Sequence, residues 1–504
     1  MKKQIIKIAS LALCTILLVG CAKDFFDPKV SEYMTDERKK ELQNNPENKK
    51  QLLEIDLRGI YNNNATPQTS RHDSFGLKAV EAGLDHSGLD LVQASHTWFN
   101  FDYNFDNREA GFSRTSFMWN FLYKQISSIN TILADYFPTA PDGNTEQELF
   151  QKYAELKALR AIYYYYLVNI YAKTYKGNEG SLGVPLMLNT GDDKLPRATV
   201  QQVYAQMIND IKPVVDDNHY IITTDTQSDV DKAVAAAYLA KIYACQEEWQ
   251  KVEHYAFIAI GGTPHPTLTS AADVESGRWD ISMASWLWGF DITQETNSYW
   301  NSFYAHMDNS ISNSYAGGGG FKLIYNNLYD KIGNGDVRKK LYINSTLFPE
   351  IKTKYEKLNE NLPEYANVKY VTNSDFTSDY CYMRREDPFL LYIEALVENN
   401  NNLDGAKEAL EYLVKTNRGD RAYNLSALTT KEQLREEVRL QRRIELWGEG
   451  TSFIDWRRWK TGINRYEAGS NHVFKVEIPA DDKRWFYQIP KAEMESNPNM
   501  VQNE

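Results

Sequence analysis

From Tyr153 to Ile170 apolar side chains recur at steps of three and four residues, through Leu156, Leu159, Tyr163, Tyr166 and Leu167. That period predicts a helix. Inside it the segment RAIYYYYLVNIYAKTYKG, Arg160 to Gly177, sets four tyrosines side by side at Tyr163 to Tyr166. Neighbouring helical residues point ~100° apart, because a turn holds about 3.6 residues. Four adjacent tyrosines therefore face all round the helix and cannot form one platform. A helix that is apolar on every side has to be enclosed by other elements. These rings are accordingly read as core, with hydroxyls reaching partners between helices, and any ligand surface is sought elsewhere.

Two further stretches support a mainly helical fold. AVAAAYLAKIYACQEEWQKVEHYAFIAI breaks at Gln246-Glu247-Glu248, with a helix predicted on each side and small residues such as Ala244 and Ala256 where two helices would approach. DPFLLYIEALVENNNNLDGAKEALEYLVKTNR repeats the layout with Ala395 and Ala406. Both read as helical hairpins of tetratricopeptide type. Between them residues 261–380 change character, with GGTPHPTLTS, SNSYAGGGG, short aromatic or β-branched runs and Trp279, Trp286, Trp288 and Trp300. A loop-rich section on a rigid scaffold is where binding residues concentrate. Trp286 and Trp288 alternate in SWLWGF, which predicts a strand with one buried face.

The chain starts with Lys2, Lys3 and Lys7, then an apolar stretch from Ile8 to Val19 that ends in Leu18-Val19-Gly20-Cys21. The stretch is shorter than the roughly 20 residues a membrane-spanning helix needs, and it reads as a secretory signal. Its end resembles the lipobox of bacterial lipoproteins, with residues 1–20 removed and Cys21 lipidated. Ala22 in place of Asp is compatible with the outer membrane. Residues 21–48, rich in Lys, Asn and Glu, read as a tether, followed by a single domain over 49–504: a helical part to 260, a loop-rich ligand lobe over 261–380 and a helical part over 381–504. Net charge is -12 with no Lys/Arg stripe, which argues against nucleic acid. Cys245 and Cys381 are read as free thiols, too few for a disulfide framework.

Four stretches together resemble the SusD/RagB family of surface nutrient-binding lipoproteins. They are the lipobox at Cys21, LRAIYYYYLVNIYAKTY…GVPLML (Leu159 to Leu188), RRIELWGEGTSFIDWRRWKTG (Arg442 to Gly462) and YQIPKAEMESNPNMVQN (Tyr487 to Asn503). The resemblance implies a SusD-like fold with four tetratricopeptide-like hairpins and an irregular lobe with short strands. It implies a non-enzymatic protein at the cell outer membrane that captures oligosaccharide, needs no cofactor and serves a SusC-type TonB-dependent transporter. Some members bind peptides, so a peptide-binding lipoprotein is the alternative.

Several motifs could carry other chemistry. Glu445 and Glu449, one turn apart, could mimic a glycosidase pair, but Arg442, Arg443, Arg457 and Arg458 surround them and favour ion pairs. Asp102-x-Asn104-x-Asp106 opens like a calcium loop, yet Asn107 and Ser113 stand where Gly and Glu are required. The run Gly317 to Gly320 lacks the GK[ST] of a phosphate loop and reads as a flexible loop. No HExxH, His–Cys cluster or GxSxG is present.

The candidate ligand surface lies in aromatics alternating with amides and carboxylates, because sugar rings have apolar faces and polar rims. HTWFNFDYNF, His96 to Phe105, is read as a half-buried strand with Phe99 to Phe105 at odd positions on one face and Trp98 and Asn100 towards solvent. Trp98, Asn100 and Tyr103 are its candidate contacts. TNSYWNSFYAHMDNS is read as an exposed loop with Tyr299, Trp300 and Tyr304 as a second set.

Overall fold

The tyrosine run lies in a helix over Gln147–Tyr171. The computed structural model describes residues 35–223, 227–372, 375–399 and 402–504; the signal segment and Cys21 lie outside them. The described residues of 56–504 form one compact unit, and those of 35–55 belong to a smaller one. The first helices are α1 (Asp36–Gln43) and α2 (Pro46–Ala65), then α3 (Leu77–His86), the short α4 (Asn100–Asn104), α5 (Ser113–Tyr136) and α6 (Gln147–Tyr171). The segment expected to be a plain tether thus holds helix α1, capped by the Thr35 side chain accepting from Arg38 N, and the start of α2.

From Ala158 to Tyr171 every residue of α6 is buried. The Tyr163 hydroxyl donates to Asn64 Oδ1 of α2 (2.8 Å), Tyr164 to the Met187 carbonyl (2.8 Å) and Tyr166 to Glu81 Oε1 of α3 (2.9 Å). Tyr165 meets the edge of Tyr238. Four neighbours thus have four different surroundings, and the three hydrogen-bonded hydroxyls avoid the cost of an unpaired buried polar group.

Helices α7 (Val200–Asp216), α8 (Lys232–Gln246) and α9 (Trp249–Ala259) continue the stack. α6 packs on α5 and α7, α7 on α8, and α8 on α9. The α8/α9 break falls at Glu247, which takes a left-handed conformation (φ 61°) as the helix ends. Ala235, Ala236, Ala240 and Ala256 are fully buried, so the helices approach through methyl groups. The C-terminal hairpin α10 (Glu386–Glu398) and α11 (Leu403–Glu411) joins this stack, with α10 resting on α9 and on α12 (Lys431–Glu445).

Among the described residues the section from 261 to 380 contains only short elements. Among the described residues of the whole chain, three two-stranded antiparallel ribbons pin the irregular parts: β1 (Leu91–Gln93) pairs with β3 (Lys322–Ile324), β2 (Trp286–Phe290) with β4 (Tyr380–Arg384), and β5 (Ile463–Asn464) with β6 (Glu477–Ile478). All of β2 is buried, not one face of it. Its register shifts around Trp288, and Tyr238 of α8 and Tyr382 of β4 both pack on the Trp288 ring. Of this ribbon only Cys381 on β4 is partly exposed.

Candidate functional site

The segment around Trp98 is not a strand. Phe99 (φ 66°) and Phe105 (φ 55°) both adopt left-handed backbone and bracket the single-turn helix α4. Bulky residues rarely accept that conformation; here the packing of the rings outweighs it. Phe99 is stacked on His86 (5.0 Å) and edge-on to His306 (5.2 Å), and the Arg114 guanidinium lies over it (5.0 Å). Phe105 packs edge-on against Trp485 (5.5 Å). The winding corrects the expected register. Phe101 turns outward (38% exposed), while Asn100 and Tyr103 are buried. Tyr103 shares a hydrogen bond with His472 Nδ1 (2.9 Å). Asn100 and Tyr103 therefore lie behind the surface on which they were expected.

Trp98 itself is half-buried beside a cleft of about 430 Å³ lined by Arg71, Asp73, His96, Trp98, Phe101 and Tyr315, among others. The Arg71 guanidinium sits 5.2 Å from the Trp98 ring and His72 stacks on it at 5.7 Å. Tyr315 meets Trp98 edge-on at 6.1 Å. The same Tyr315 ring meets Trp300 at 5.2 Å. The two tryptophans nominated from distant stretches thus belong to one surface, joined by a tyrosine that sequence reasoning passed over. Trp300 (41% exposed) and Tyr299 (52% exposed) face solvent as expected. Tyr304 does not: it lies in a short helix (Phe303–Met307), is buried, and donates to the Asp379 carbonyl (3.0 Å). One helical turn beyond Trp300 points into the core.

Tyr315 is held from two directions. Its hydroxyl shares a 2.6 Å hydrogen bond with His72 Nδ1, and the His306 ring lies parallel beneath it at 5.0 Å. His306 Nε2 donates to the His72 carbonyl (2.7 Å). Burial pushes the His306 imidazole down to about 3, so the support stays neutral. Three positions of the glycine run after Tyr315, Gly317, Gly318 and Gly320, approach neighbouring backbone too closely for a side chain. Ser95 Oγ donates to the Gly319 carbonyl (2.8 Å), and a Cβ on Gly320 would stand 2.5 Å from the Tyr315 carbonyl oxygen and 2.7 Å from Thr97 Cγ2. Only glycine lets this loop close against the Trp98 segment.

The floor of the cleft is polar. Arg71 grips Asp73 through Nε (2.9 Å) and Nη2 (2.7 Å), and Arg114 donates to the Asp73 carbonyl (2.8 Å) and to Asp102 Oδ1 (3.2 Å). Burial alone would raise the Asp73 carboxyl, but the Arg71 hydrogen bonds and the Arg114 charge prevail and hold it below its usual range. Tyr487 also donates to Asp102 (2.8 Å), so this carboxylate, the first of the calcium-like spacing, is committed to internal partners. Arg71, His72 and Asp73 carry no sequence signal of their own; three consecutive residues opposite Trp98 are assembled by the fold.

Glu445 and Glu449 are not an open acid pair. Arg338 (2.9 Å), Arg384 (2.6 Å) and Arg418 (2.7 Å) converge on Glu445, and Arg384 (2.8 Å) and Lys369 (2.5 Å) on Glu449. Burial raises the Glu445 carboxyl, yet the three guanidinium groups overcome it and leave it well below the usual range. Cys245 and Cys381 are free thiols.

Two family models match this chain. One, described as the SusD family, covers residues 348–504, and the other, described as starch-binding associating with outer membrane, covers residues 45–244. The chain belongs to the SusD/RagB family. The SusD-like protein P25 of Formosa agariphila is 22% identical over 432 residues, 77% of this chain and 78% of its own. A SusD-like carbohydrate binding protein from Bacteroides vulgatus has the same fold at a TM-score of 0.75, with 20% identity over 90% of this chain and 97% of its own. A SusD superfamily protein from Bacteroides thetaiotaomicron gives 0.72, with 20% identity over 90% and 99%. The two SusD models leave residues 245–347 between them. Trp98, Arg71 and His72 fall inside a matched span, and Trp300 and Tyr315 fall in the interval. One wall of the cleft is thus built by family-typical sequence and the other by sequence outside both models. Among the described residues no helix is long and apolar enough to cross a membrane.

Proposed function

We propose that this chain is a non-enzymatic surface lipoprotein, anchored through Cys21 in the outer membrane, that captures oligosaccharide and delivers it to a SusC-type TonB-dependent transporter. The observation that carries the reading is the meeting of Trp98 and Trp300 on Tyr315 beside a polar floor. Rigid aromatic faces suit the apolar faces of sugar rings, and Arg71 and Asp73 suit their hydroxyl rims. The family description of starch binding at the outer membrane and the carbohydrate-binding relative from B. vulgatus support the same class of ligand. Glu445 and Glu449, closed off by their cations, offer no hydrolytic pair, since glycoside hydrolysis sets two carboxyl groups across an open cleft.

The test is a binding screen of the full-length chain in detergent against neutral and acidic polysaccharides and a peptide panel, with product release followed by chromatography. Saturable polysaccharide binding without new reducing ends is the expected result. Binding of peptides alone would replace the glycan reading with peptide capture, and released sugar would overturn the non-enzymatic one. Co-purification of a TonB-dependent transporter with the tagged chain from its native membrane tests the partner.

A further inference from the structure

A second cavity, of about 300 Å³, shares no lining residue with the aromatic cleft. Its walls come from the chain just after α6, from the helix Ser452–Arg458 and from the segment Ala480 to Phe486. Lys173 and Lys176 stand exposed at the rim. Lys460 adds a third ammonium, paired at 2.9 Å with Glu247, which does not line the cavity. Trp485 and Phe486 supply an aromatic wall.

The decisive group is Arg457, which lines this cavity and is only 5% exposed. Its two terminal nitrogens donate to the Asn169 and Ala172 carbonyls at the end of α6. Its Nε has no hydrogen-bond partner. Among the described residues no carboxylate pairs with it, whereas its neighbour Arg458 is gripped by Glu394 and Asp455 (2.7 and 2.8 Å). Burial pulls the Arg457 guanidinium down to about 10. A buried cation without a counter-charge is costly unless something supplies one. The helix-end carbonyls offset part of that cost through the macrodipole, but they carry no net charge. Of the two carboxylates at the cavity, Asp482 is held by Arg484 (2.6 Å) and Asp481 lies exposed at the edge.

We infer that this cavity is a second binding site, for an oxyanion-bearing sugar unit: a carboxylate or sulfate ester set among Arg457, Lys173 and Lys176, with the ring against Phe486. Naming a sugar and not a bare anion rests on the saccharide reading of the protein; the anion site itself does not. The expected behaviour is that of a selectivity element, in which acidic units gain affinity here while neutral units depend on the Trp98 cleft alone.

The experiment uses the full-length chain labelled with 5-fluorotryptophan, the Trp485 line being assigned with Trp485→Phe. Sodium sulfate, glucuronate and glucose are titrated separately at constant ionic strength. Sulfate and glucuronate should shift the Trp485 line saturably, and glucose should not. Lys173→Glu with Lys176→Glu, both exposed and safe for folding, should weaken the anions at least tenfold, while Trp98→Ala with Trp300→Ala should leave them unchanged. No shift with either anion, or an equal shift with glucose, overturns the site. Sulfate binding without glucuronate binding overturns the sugar assignment. Loss of glycan binding by the Trp98 cleft variants alone would bear on the proposed function and leave this site standing.

Discussion

Replacing Trp300 by Ala is a direct probe of the aromatic surface that meets at Tyr315, because its cost can be worked from exposure. A tryptophan presents up to ~250 Å², and Trp300 keeps 41% of its surface open, so about 100 Å² is available to a ligand. Covering all of it at ~25 cal/mol/Å² gives an upper limit of ~2.5 kcal/mol. A sugar ring covers only one face, which brings the expected loss to ~1.5 kcal/mol, or about tenfold in Kd. Trp98 lines the cleft and, like Trp300, meets Tyr315, so Trp98→Ala should cost a similar factor. The stability cost differs from the binding cost: the rest of the ring, about 150 Å², is covered by protein, an upper limit of ~3.7 kcal/mol by the same rule, so Trp300→Ala should lower Tm while the variant stays folded at the assay temperature. The assay is isothermal titration with the polysaccharide from the screen, alongside thermal unfolding. Unchanged affinity in both single variants, with both folded, would refute the assignment of this surface.

Other perturbations separate support from contact. Gly320→Val places carbon atoms against Thr97 and the Tyr315 carbonyl, so it should destabilise by ~1–3 kcal/mol and weaken glycan binding by moving Tyr315; urea unfolding and titration read the two effects. Glu445→Gln removes the charge on which Arg338, Arg384 and Arg418 converge and should cost ~3–5 kcal/mol by urea unfolding at pH 7. Its carboxyl lies below the ordinary value in the folded state, so in the wild type this stabilisation is complete above the unfolded value of about 4.3 and fades as pH falls through the folded one. His306 works in the same direction. Between about 3 and 6.5 the unfolded chain binds a proton that the folded chain does not, so stability rises with pH across that window. His306→Phe keeps a ring beneath Tyr315 and should reduce the change in Tm between pH 4 and 6.5.

The helical half of the molecule was legible in the chain alone. A period of three and four, and a tyrosine run that no single helix face could hold, predict a helix enclosed on all sides; the breaks at Glu247 and after Glu398 follow from local composition. Charge interleaving around Glu445 and Glu449 likewise announced ion pairs but not their partners: the cations come from Arg338, Lys369, Arg384 and Arg418, whereas Arg442 turns to Asp387 and Asp455 and Arg443 to Asp90. Residue type also singled out Trp98, Tyr299 and Trp300. What tertiary structure decided is which aromatics face outward and which of them meet. Two left-handed phenylalanines wind His96 to Phe105 into a turn, burying Asn100 and Tyr103 and exposing Phe101, and their partners are His86 and Arg114 on the flanking helices and His306 and Trp485, remote in sequence. One helical turn takes Tyr304 into the core. Tyr315 becomes the joint of the site only because packed glycines bring it between Trp98 and Trp300, with His72 and His306 holding it there. Local sequence governs local backbone period; burial of a given ring is settled by contacts between segments hundreds of residues apart, and those exist only once the chain has folded.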